Sequence, residues 1–328
     1  MRQLLLLLCR YPFDEKNRET LSALVRDVQD WHRMIKLIND HGIIALAAYN
    51  IKEAGLGEMV PEYAKRLLED GKRQSMIRNA WLTERWKEID KILSEAGIKH
   101  VLLKGMALEY TVYGGQGLRQ MNDNDIFINP EDSINGWQLL QKNGFSMAPL
   151  KSRLFRKIMF DLGHHLPTLY KNGYAVEIHD KLAGTRDGIE PGYHELSDNV
   201  LEVMVDDRKA LILNNDIHMN YLISHFERHA REGECQLRLF ADIVLLGNDS
   251  SVDFPDRFIT DPLQKDKAVF RRSSYKATVR NIPAEYRLRF LLGDLFPSLQ
   301  WMKQHYRCSI IKVLFLYPLR IGKLRWLI

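Results

Sequence analysis

Along the first hundred residues, apolar positions recur every three or four places, the spacing of helices that bury one face. Residues 14–30 and 31–39 carry this pattern. Asp40, His41 and Gly42 interrupt it, residues 43–54 resume it, and Gly55 ends it. Pro61 marks another helix start. The pattern then runs through Leu82, Trp86, Ile89 and Leu93 to Gly97, with Gly71 as its one weak point. In the opening MRQLLLLLCRYPF, Leu4, Leu7 and Leu8 share a helical face. The apolar run is short and stops at Arg10 without a small-residue cleavage site, so a buried first helix is expected and export is not.

The period changes at Ile98. IKHVLLK reads as a strand, GMALEYTVY as a helix and GGQGLRQMN as a glycine-rich loop. DNDIFIN is the next strand, and Pro130 with Glu131 and Asp132 opens a helix that ends near Asn143-Gly144. Residues 153–162 read as helix. Two strand-like runs flank Asn172-Gly173, a strong hairpin signal. From Tyr193 onward the pattern is mostly helical, with amphipathic stretches at 214–232 and 236–247 and a loop at 250–260. The expected fold is therefore α+β: a small mixed sheet in residues 98–192, flanked by helical regions 1–97 and 193–328.

Composition changes this picture little. The apolar content of 45% and charged content of 27% are those of an ordinary globular chain. A net charge of +5 over 328 residues, with its charges interspersed, argues against a nucleic-acid face. Cys9, Cys235 and Cys308 offer neither metal-ligand spacing nor a disulfide framework, which points to the cytoplasm.

The chemistry concentrates in LRQMNDNDIFI. Strands avoid Asp and Asn, yet Asp123 and Asp125 open this one, and the period of two puts them on one face. Two such carboxylates repel each other, and a divalent cation would relieve the conflict. The plain alternative is a strand-entry turn in which Asp and Asn cap local backbone. In LLKG a strand ends as a helix begins, so Lys104 and the Gly105 amide are placed to meet an anion. Arg119 has two readings, a phosphate contact or an ion pair with a nearby carboxylate. In AVEIHDKL, core-facing Val176 and Ile178 put Glu177 and His179 on the other face. Glu177 would join the pair if this strand lies beside DNDIFIN.

VLLKG, LRQMNDNDIFI, HHLPTLY and VEIH, with the helical stretches MNYLISHFERH and LRLFADIVLL, resemble the nucleotidyltransferase superfamily. The closer likeness is to an uncharacterised bacterial nucleotidyltransferase-like family with lysine-glycine where better-known relatives carry glycine-serine. The resemblance implies Mg²⁺ held by Asp123, Asp125 and Glu177, with Lys104, Gly105 and Arg119 on the phosphates of a nucleoside triphosphate, ATP first. Asp123, Asp125 and Glu177 would be the catalytic residues, and a nucleotidyl group such as AMP would pass to a hydroxyl acceptor. That acceptor could be a small molecule, a sugar or a protein. The alternative is a non-catalytic module that keeps the fold and binds a nucleotide or a partner. Asn124 departs from the aliphatic residue usual between the aspartates.

Other candidates are weaker. His164, His165 and His179 could line the pocket. His225 and His229 have zinc-compatible spacing but no evident third ligand, so a polar helix face is expected there. The tail mixes Lys312, Arg320, Lys323 and Arg325 with apolar residues. Packing on the helical region is favoured over a membrane surface, because Pro318 and Gly322 break it.

Overall fold

A computed structural model describes residues 1–182, 199–232, 236–247, 279–280, 282–307, 309, 311–313 and 315–318. The fold is α+β, a seven-stranded mixed sheet flanked by helices. The strands are β1 (His100–Leu102), β2 (Asp123–Ile128), β3 (Ser146–Met147), β4 (Leu169–Lys171), β5 (Tyr174–His179), β6 (Val200–Val205) and β7 (Arg208–Leu213). Their order is β3-β4-β5-β2-β1-β7-β6. Strand β2 is central, antiparallel to β1 and parallel to β5.

Strands β6 and β7 lie in the stretch read from sequence as the start of the helical flank, so the sheet continues past residue 192. They pair as a hairpin through Asp206 and Asp207, with Asp206 at φ 53. Lys87 reaches Asp207 at 2.8 Å and Asp206 at 3.5 Å, which holds this acidic turn against the long helix Glu62–Glu95. The Asn172-Gly173 hairpin forms as the dipeptide predicts, with both residues at positive φ.

The long helix covers one face of the sheet. Leu82, Trp86, Ile89 and Leu93 pack there against Ile126, Ile128, Val176 and Ile178. Gly71 is no weak point in it. A β-carbon there would lie 2.5 Å from Ile44 Cδ1, so the missing side chain lets the helix Ile44–Glu53 close against it. The first helix, Arg2–Leu8, buries Leu4, Leu5, Leu7 and Leu8, as its pattern predicts. Its core also takes in Leu222, Phe226, Leu237 and Ala241, so the two helical flanks meet each other beside the sheet.

Among the described residues, no helix is long and apolar enough to cross a membrane. Cys235, Cys308, Arg320, Lys323, Arg325 and the loop expected at 250–260 lie outside the described residues.

Candidate active site

Register builds the site. In the parallel pair of β2 and β5, Asp125 stands opposite Glu177 and Asp123 opposite Ala175. Alternation then gives the face opposite the long helix to Asp123, Asp125, Glu177 and His179, while Ile126, Val176 and Ile178 fill the core. The three carboxylates line one cleft of about 390 Å³ together with Lys104, Gly105 and Arg119.

The turn at residues 103–105 is stitched to the acidic strand. The Leu103 amide donates to the Asp125 carbonyl at 3.0 Å, and the helix Lys104–Thr111 starts at the cleft. Lys104 sits at φ 46, a region costly for any side chain except glycine and one often found at functional sites. Gly105 has a packing reason to be glycine, since a β-carbon would lie 2.9 Å from Met121 Cγ. Its bareness lets the loop carrying Met121 fold over the helix start.

Electrostatics separates the two aspartates. Burial works against ionising Asp125, but the Lys104 ammonium 2.6 Å from Oδ1 and the His179 Nε2 contact at 2.8 Å hold its carboxyl well below the usual range. Burial, with the charges of Asp125 and Glu177, pushes Asp123 up to about 7. His179 is drawn down to about 4 by burial and by Lys104, so at neutral pH it is an uncharged ring donating to Asp125. Glu177 accepts from Thr168 Oγ1 at 3.2 Å and lies 3.5 Å from His165 Nε2. Donor atoms of Asp125, Glu177 and His179 lie within 4.8 Å of one another, a set that could hold a metal ion. A crowded, partly protonated carboxylate group is one that a hard cation would stabilise.

A model of the family described as uncharacterised nucleotidyltransferases matches residues 27–261, which include every cleft residue named above. The chain belongs to this family. Comparison with curated proteins and with solved structures gave no match.

In this family member, Arg119 takes the second of its two readings, the ion pair. Its Nε lies 2.7 and 2.9 Å from the oxygens of Asp242 and its Nη2 2.6 Å from Oδ2. Tyr113 donates to the same carboxylate at 2.9 Å. Both members of the pair are buried. The arginine ties the glycine-rich loop to the helix Leu237–Gly247 while still lining the cleft.

Several residues of this family member escaped sequence reasoning. Glu109, buried and pushed up to about 7 by that burial, accepts from the amides of Gly117 and Arg119 and so clamps the glycine-rich loop. The loop needs its glycine at 117, where φ is +72 and a β-carbon would lie 2.6 Å from the Met76 backbone. The helix Asn215–Glu232 does not present His225 and His229 as the solvated face expected for them. They line the cleft with Arg228, and Arg238 joins them from the next helix. Burial draws His229 down to about 4 and His225 well below its ordinary value. The i, i+4 spacing of the histidines was legible; that the helix packs over the face of the sheet, with Tyr221 in one cluster with Val101 and Phe127, was not.

Asn124 also finds its reason. It points away from the cleft and is fully buried, with Nδ2 donating to the Leu82 carbonyl on the long helix at 3.2 Å. It pins the acidic strand to the helix behind it.

Proposed function

We propose that the cleft transfers a nucleotidyl group, AMP when ATP is the donor, from a nucleoside triphosphate to a hydroxyl acceptor. Asp123, Asp125 and Glu177 are the residues that would hold Mg²⁺. One observation carries this reading: the three carboxylates share one face of two adjacent strands and line one cleft beside the Lys104 helix start. Membership of a nucleotidyltransferase family supports it.

Bound Mg²⁺ would supply charge to both the attacking and the leaving oxygen. The chain's own groups do the rest. The Lys104 ammonium and the Gly105 amide meet the phosphates at the helix start. Lys104 must leave Asp125 to do so. Thr168 and His165 hold the Glu177 carboxylate in place to take the acceptor's hydroxyl proton. The acceptor oxygen then forms its bond to the α-phosphorus, the bond from that phosphorus to the bridging oxygen breaks, and pyrophosphate leaves. Room for the acceptor lies next door. A cavity of about 740 Å³, lined by His32, Lys36, Asp70 and Arg78, shares Gln120, Met121 and Asn122 with the cleft.

A second reading has one observation in its favour. The Lys104 ammonium pairs with Asp125 at 2.6 Å and supplies it a counter-charge, as a non-catalytic nucleotide-binding module could do. Labelling separates the two. With Mg²⁺ and a pool of candidate hydroxyl acceptors, label from [α-³²P]ATP moves to an acceptor, label from [γ-³²P]ATP appears in pyrophosphate, and Asp125→Asn abolishes both. ATP binding without transfer to any acceptor would establish the module instead.

A further inference from the structure

We propose that Arg228 and Arg238 grip the polyphosphate of the nucleotide, taking the β- and γ-phosphates that leave as pyrophosphate. This deepens the nucleotidyltransferase reading and rests on it.

The cations first expected on the phosphates have other partners. Three of the five N–H groups of Arg119 bond Asp242 or the Gln120 carbonyl, with Nη1 on Gln120 at 2.6 Å, and the Asp242 carboxylate balances its charge. Lys104 lies on Asp125 and offers a single charge. A triphosphate carries more negative charge than one ammonium and one helix start balance.

Arg228 and Arg238 line the same cleft, and among the described residues neither has a carboxylate within ion-pair distance. Arg238 donates from Nη1 to the Gln120 carbonyl at 2.7 Å and from Nη2 to Gln236 Oε1 at 2.8 Å. Its Nε is buried and has no hydrogen-bond partner among the described residues. Arg228 Nη2 lies 2.7 Å from His225 Nδ1, which accepts. Neutral acceptors hold these guanidinium groups in place but do not cancel their charge. Both arginines are half-buried, and two guanidinium charges held on neutral acceptors at the wall of one cleft favour an anion there. Burial and the neighbouring Arg119 draw Arg238 down to about 10, outweighing the carboxylates of Asp242 and Asp123.

The opposite wall carries the complementary excess in Asp123, Asp125 and Glu177. A ligand that satisfies both walls pairs a cation with a polyanion, as a metal-bound nucleoside triphosphate does. The planar guanidinium matches phosphate oxygens two at a time.

The test uses the full chain and calorimetric titration with inorganic tripolyphosphate, ATP and AMP. Wild type binds tripolyphosphate in competition with ATP. Arg228→Gln and Arg238→Gln each weaken both by about ten- to a hundred-fold and leave AMP within about twofold, while Arg66→Gln, at an exposed arginine paired with Glu62 and lining neither cavity, changes nothing. Thermal melts check folding. Should Arg238→Gln not fold, Arg238→Lys is read in its place; it keeps the charge, loses the fork and gives a smaller loss. Unchanged tripolyphosphate and ATP affinity in folded Arg228 and Arg238 variants overturns the grip and leaves the transferase reading standing. Arginine-dependent tripolyphosphate binding with no transfer of α-label overturns the transferase reading and leaves the grip. A wild type that binds neither ligand overturns both.

Discussion

Lys104 and Asp125 form a buried ion pair, with the ammonium 2.6 Å from Oδ1, at the point where the resemblance to nucleotidyltransferases calls for a metal ion. The lysine therefore acts as the carboxylate's counter-ion. Lys104→Met should leave a buried aspartate poorly compensated and cost stability on the order of 3 kcal/mol. The same variant should gain more from a divalent cation than wild type does, because the cation no longer competes with an ammonium. Thermal shift against Mn²⁺ concentration checks this. Equal shifts in the two proteins would mean that the cation does not reach Asp125.

Asp123 gives a pH signature. An unfolded aspartate titrates near pH 4, whereas burial and the neighbouring Asp125 and Glu177 push the folded one up to about 7. Between those values the folded chain holds a proton that the unfolded chain has lost. The contribution of this group to stability therefore falls as pH rises from about 4 to about 7. Asp123→Asn should be more stable than wild type in metal-free buffer at pH 8, with the gap closing toward pH 4. Urea midpoints across that range measure the difference. A gap that does not change with pH would show that Asp123 is not perturbed.

The pair of Arg119 and Asp242 joins the glycine-rich loop to a helix far along the chain. Breaking a buried pair leaves a lone charge, so Asp242→Leu should cost about 3–5 kcal/mol in urea unfolding. Arg119→Met combined with Asp242→Leu should recover much of that loss. A double variant as unstable as the sum of the singles would mean that the two residues act independently.

Much of the acidic face was readable because strands alternate. Two aspartates one residue apart must share a face, and Val176 with Ile178 facing the core fixes where Glu177 points. The Asn172-Gly173 turn and the leucine face of the first helix follow from equally local rules. Strands β6 and β7 were hidden for a physical reason. Strand β6 is an edge strand with Leu201 and Met204 exposed, and its turn is acidic and held by a lysine from another element. Asn124 looked anomalous because its partner, the Leu82 carbonyl, belongs to a helix 42 residues earlier. The basic wall was missed for the same cause. Arg228 and Arg238 sit on amphipathic helices, and only tertiary packing turns those faces toward the cleft.

The most direct test of the carboxylate site is crystallographic: anomalous scattering from the chain grown with Mn²⁺ and a non-hydrolysable ATP analogue. The account predicts a manganese peak among Asp123, Asp125 and Glu177, with the Lys104 ammonium moved off Asp125 and onto a phosphate. A bound nucleotide with no metal among these carboxylates, and Lys104 still on Asp125, would contradict it.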